Sequence, residues 1–67
     1  MTIREAAKGV FSRYHGSYYI GFINSDGSED ETQFEDVNSI KELEGLFSDF
    51  CEDNGFRKDT VTYIESA

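Results

Sequence analysis

The chain has 67 residues, fourteen acidic side chains against six basic ones, a net charge of -8 and one cysteine. A core of this size sits near the lower limit of self-sufficiency, and a lone cysteine excludes an internal disulfide. Charge of this sign excludes direct binding to phosphate backbones or anionic membranes and favours a basic partner. No apolar run is long enough to cross a bilayer, and the N-terminal MTIREAAK leads into no export signal. The expectation is one soluble α+β domain over residues 1–67, in the cytoplasm, or in the host cytoplasm if the protein is viral.

Apolar Ile3, Ala6, Ala7, Val10, Phe11 and Tyr14 follow helical spacing behind Thr2, a good N-cap, and ahead of Gly16, a good stop. This predicts a first helix over about 3–14, weakened at Gly9. The uncharged SYYIGFIN, residues 17–24, predicts a strand, and NSDG supplies turn chemistry directly after it. EDETQFEDV predicts a second strand, with Thr32 and Phe34 inward and Glu29, Glu31, Gln33 and Glu35 outward.

Ser39 and Glu42 have capping-box spacing. Ile40, Leu43, Leu46, Phe47, Phe50 and Cys51 then trace a stripe that predicts a second helix over about 39–53, stopped by Asn54-Gly55. DTVTYIE, about 59–65, predicts a closing strand. The most apolar strand belongs in the centre, which gives a three-stranded antiparallel sheet in order 2-1-3 with both helices on one face. The acidic second strand is then an edge.

The charge is uneven. Residues 1–15 carry +2 and residues 26–53 carry -10, with Lys41 as the single cation of that segment, while the tail is neutral. Residues 25–36, SDGSEDETQFED, hold Asp26, Glu29, Asp30, Glu31, Glu35 and Asp36 without a Lys or Arg. A calcium loop needs glycine at its sixth position and a bidentate acid at its twelfth; counted from Asp26 these are Glu31 and Val37, so the pattern fails. No metal or cofactor is expected.

Solubility and edge protection are the simplest account of these acids. Their density exceeds that need, because like charges this close lower stability. Alternate strand positions lie about 6.6 Å apart, on the scale of phosphates along one nucleic-acid strand. Glu42, Asp49, Glu52 and Asp53 of the second helix add a second row. The resulting expectation is a non-enzymatic inhibitor that mimics a nucleic-acid backbone and occupies the basic groove of a nucleic-acid-binding protein.

In size, charge and mixture of helix and strand the chain resembles the small acidic inhibitors that phages make against host nucleic-acid enzymes, anti-CRISPR and uracil-glycosylase inhibitor proteins among them. That resemblance implies a viral inhibitor acting by direct protein binding, and it carries over no residue.

The central strand is apolar on both faces, Tyr18, Ile20 and Phe22 against Tyr19, Gly21 and Ile23, yet the helices cover one. Tyr19 and Ile23, with Tyr63 or Ile64, are candidates for an exposed patch that binds a partner or a second copy of the chain. The alternative function is therefore a self-associating accessory protein whose acids serve solubility. His15 reads as a cap-region cation and Cys51 as core; Ser28, ahead of three acids, fits acid-directed phosphorylation only at the level of chance.

Overall fold

A computed structural model describes residues 1–8 and 16–67. The elements in chain order are α1 (Ile3–Ala7), β1 (Gly16–Ile23), β2 (Glu29–Val37), α2 (Ile40–Asn54) and β3 (Val61–Ser66). The strands form one sheet in order β2-β1-β3, with β1 antiparallel to both neighbours, as the sequence pattern predicts.

Thr2 starts α1 through a complete capping box. Its hydroxyl accepts from the Glu5 N–H at 3.2 Å, and Glu5 Oε1 accepts from the Thr2 N–H at 2.9 Å. Hydrogen bonding from Thr2, first by its N–H and then by its hydroxyl, holds the Glu5 carboxyl below the usual carboxylate range. The helix is shorter than the 3–14 expected. Lys8 already has extended backbone (ψ 124), immediately before Gly9, a glycine being the poorest helix former in this proline-free chain. Gly9, Val10, Phe11, Tyr14 and His15 of that expectation lie outside the described residues. Gly16 is the first residue of β1.

The hairpin turn is organised by Asn24. Its backbone N–H donates to Ser28 O at 2.9 Å, and its Oδ1 accepts from the N–H groups of Asp26 and Ser28. Such side-chain bonds make Asn a turn former. Tyr18, Ile20 and Phe22 of β1 lie opposite Phe34, Thr32 and Asp30 of β2. Near its far end β2 carries one extra residue, because Gly16 lies opposite Val37 rather than Asp36. Asp36 takes φ 56 there, a left-handed conformation that Asp tolerates better than most residues. The bulge returns Val37, 1% exposed, to the core side.

Ser39 caps α2 by accepting the Glu42 N–H at 3.0 Å, while Glu42 Oε1 reaches back to the Asn38 N–H at 3.3 Å. Gly55 closes the helix at φ 71, and the Phe56 N–H then bonds Cys51 O at 2.8 Å. Leu43, Phe47 and Cys51 are buried against the sheet. Leu46, expected on that stripe, is instead exposed, because it flanks the buried ridge. Phe22 stands at the centre of the core, with the rings of Phe47, Phe50 and Phe56 at 6.0, 5.5 and 5.2 Å.

The buried residues belong to both helices and to the Tyr18/Ile20/Phe22 face of the sheet, together with Val61 and Ile64 of β3. Both helices therefore lie on one face. The chain start closes part of the β3 edge: the Val61 N–H bonds Met1 O at 2.8 Å and the N-terminal amine bonds Asp59 O at 2.9 Å.

Phe47→Ala removes a fully buried ring that touches Phe22, a loss of about 3–5 kcal/mol. A domain of this length has roughly 3–10 kcal/mol in all. Urea unfolding should therefore show the variant largely unfolded or with its midpoint displaced by most of the transition, while Leu46→Ala on the exposed flank should move the midpoint little.

Candidate protein-binding surface

With the helices on one face, the other is a bare three-stranded surface among the described residues. Cross-strand pairing sets its grid: Ile23 stands beside Glu29, Gly21 between Glu31 and Tyr63, and Tyr19 between Gln33 and Glu65. None of the three strands contains a Lys or Arg.

Gly21 is the centre of this grid. A Cβ there would overlap the Tyr63 ring, so the ring rests directly on the strand backbone and buries the glycine beneath it. From that position Tyr63 spans the central strand, and its hydroxyl donates to Glu31 Oε2 on β2. The side chain thus ties both outer strands together over the middle one. The hydrogen bond to Glu31 stabilises the neutral phenol, with desolvation and the charges of Glu31, Glu65 and Glu29 acting in the same sense, and the hydroxyl is pushed up to about 12.

The outer edge of β2 follows from the ladder. The Asn24 to Ser28 bond fixes its parity, so Asp30, Thr32 and Phe34 turn their backbone groups toward β1, and Glu29, Glu31 and Gln33 turn theirs outward. The outward Glu31 N–H is occupied by Asp30 Oδ1 at 2.8 Å. A carboxylate on that donor blocks one position at which another strand would pair, and this is edge protection built into the hairpin.

The expected site residues separate into groups. Glu29, Glu31 and Glu35 alternate onto the open face, Asp30 lies at the edge, Asp36 sits in the bulge and Asp26 at the exposed turn. Tyr19 is half-buried on the open face. Across the edge, the Phe50 ring meets Phe34 of β2 at 6.1 Å, so that flank of α2 is the one next to β2. Helical spacing puts Leu46 and Asp53 on it, with Glu42 beside them, and the carboxylates there rim the helix side of the same strand.

Asp49 and Glu52 point away from the sheet, on the far side of the helix from the Leu43–Phe47–Cys51 ridge, and join neither group. Glu42 already serves as a helix cap. Among the described residues Arg4 pairs with Glu44 at 2.6 Å and Arg57 with Asp59 at 2.9 Å; neither pair draws on the hairpin acids. Lys41 and Lys58 line a hollow between α1 and α2, beside Thr2 and Gly45.

Sequence reasoning left Ile64 and Tyr63 as equal candidates for the patch. The register resolves them: Ile64 faces Ile20 in the core, 5% exposed, and Tyr63 is on the open face. Glu65 was not anticipated as part of this surface, and Gly21, placed on this face by the alternation, was given no role in it. A glycine inside an otherwise bulky strand was the available signal, since it marks a close approach.

Cys51 is buried in the core as expected, and burial pushes its thiol up, away from reactivity. Among the described residues no three metal-ligating side chains are grouped to hold an ion, and no helix is long and apolar enough to cross a membrane. His15 lies outside the described residues. No family model, no curated protein and no solved structure matches the chain.

The tyrosine tie has two measurable consequences. Gly21→Ala must displace the Tyr63 ring and should lower the unfolding midpoint, whereas in a Tyr63→Ala background the same change should cost much less; additive effects would show that the two residues are not coupled. The folded pKa of Tyr63 exceeds the ordinary value of about 10, so its contribution is complete below pH 10 and lost as pH rises through about 12. A phenolate absorbance titration should show a late Tyr63 component that moves back toward 10 in Glu31→Gln.

Proposed function

We propose that the protein is a non-enzymatic binding module that places the carboxylates around β2 into a basic, nucleic-acid-binding surface of another protein. The observation that supports this is the arrangement at one edge. Glu29, Glu31 and Glu35 stand on one side of β2, Glu42 and Asp53 rim the other, and no strand carries a cation to neutralise them.

Carboxylates about 7 Å apart in a water-like dielectric repel by about 0.6 kcal/mol per pair before screening. Several such pairs amount to about 1–2 kcal/mol, an appreciable part of the stability of so small a domain. Asp30 on the Glu31 N–H already protects the edge, so protection alone does not require the rest. A cationic groove would turn this repulsion into attraction, speed encounter by steering and make affinity fall with salt.

On this reading the partner is a basic nucleic-acid-binding protein, the mode is backbone mimicry in the manner of a phage-encoded inhibitor, and the place of action is the cytoplasm where that partner works. No direct nucleic-acid contact, membrane contact, cofactor or metal is invoked. Self-association through the open face is less favoured. It would bring Glu29, Glu31 and Glu65 against their own copies.

Affinity capture from the source cell tests the proposal when followed by competition. The retained protein should bind nucleic acid itself, be released by added duplex DNA, and dissociate as salt rises. The triple variant Glu29→Lys, Glu31→Lys, Glu35→Lys should abolish retention while circular dichroism shows the fold intact. Retention that neither DNA nor charge reversal disturbs would overturn it.

A further inference from the structure

We infer that the open sheet face is an arginine-recognition surface, in which the Tyr63 ring and the carboxylates beside it take a guanidinium group from a basic segment of the partner. The inference rests on the binding role proposed above and adds to it which face makes contact and which cation it prefers.

Three features of the face converge. The Tyr63 ring is held over Gly21 from below and fixed at its hydroxyl by Glu31, so its position is set before a ligand arrives. Glu31 uses Oε2 for that bond and keeps Oε1 for a second donor. Glu65 is the next residue but one along β3, on the same face, beside Tyr19. An aromatic surface with carboxylates at its rim suits a planar cation that stacks and donates in the same plane.

That combination distinguishes arginine from lysine. A guanidinium is weakly hydrated, stacks on aromatic rings and donates a fork of N–H groups to carboxylates, whereas an ammonium is a compact, strongly hydrated point charge. The acidic flank of α2 offers the same charge without the ring: Glu42 and Asp53 lie beside exposed Leu46. That flank would take either cation alike. A second copy of the chain is the wrong occupant, since no strand has a Lys or Arg to meet the glutamates of its partner.

The test uses the full ¹⁵N-labelled chain, titrated at low salt with a short capped peptide of alternating arginine and glycine and with its lysine counterpart of equal charge. The expected result is amide shifts centred on Tyr19, Gly21, Glu31 and Tyr63, with the arginine peptide bound about threefold to fivefold more tightly. Tyr63→Leu should erase that preference. If this variant does not fold, Tyr63→Phe should keep the preference and Glu31→Gln should weaken both peptides. Equal binding of the two peptides, or shifts centred on Glu42 and Asp53, would overturn the inference while leaving the acidic-surface reading in place. Binding of neither peptide would overturn both, and self-association that shifts the same amides would assign the face to a second copy.

Discussion

The packing of Phe22 is the constraint on which the rest of the structure depends. Its ring lies within 6.0 Å of the rings of Phe47, Phe50 and Phe56, two from α2 and one from the segment just beyond its cap. A chain this short can assemble one apolar layer of that kind and no second one. Once α2 is committed to the Tyr18/Ile20/Phe22 face, the alternate positions of the sheet have no helix over them among the described residues. The bulge at Asp36 serves the same layer, because it returns Val37 to the core after a run of acidic residues.

The opposite face is completed by a smaller device. Gly21 would leave a gap in the middle of the central strand, and Tyr63 fills it from β3 while bonding Glu31 on β2. One side chain thereby covers the central strand and links the two outer ones. The result is a surface with an ordered aromatic at its centre and glutamates around it, next to an edge whose Glu31 donor is already occupied by Asp30. Fold and charge are linked here, since the residue that completes the bare face is also held by the acids that give it its sign.

Much of this was legible in the sequence. The uncharged run in β1, the Asn24 turn, the Thr32/Phe34 alternation and the capped stripe of α2 each carry a local signal, and together they specify order 2-1-3 with the acidic strand outside. What escaped depends on contacts between residues distant in the chain. The helix pattern beginning at Ile3 carried a weak point at Gly9 but did not show that Lys8 turns extended. The extra residue at Asp36 shows only when β2 is laid against β1. Tyr63 and Ile64 are equivalent until the register with Gly21 and Ile20 separates them. Asp49 and Glu52 followed the composition of their helix into the candidate surface, but their angular positions on α2 take them away from the edge.

The central claim is that the acids around β2 and the open face contact a basic partner, rather than serving only to keep the chain dissolved. Amide hydrogen exchange of the protein, free and bound to the protein it captures, tests this most directly. The account predicts new protection at the outward amides of Glu29 and Gln33 and across the Tyr19, Gly21 and Tyr63 rows, with the hollow near Lys41 and Lys58 unchanged. Protection confined to that hollow, or none on β2 and the open face, would contradict it.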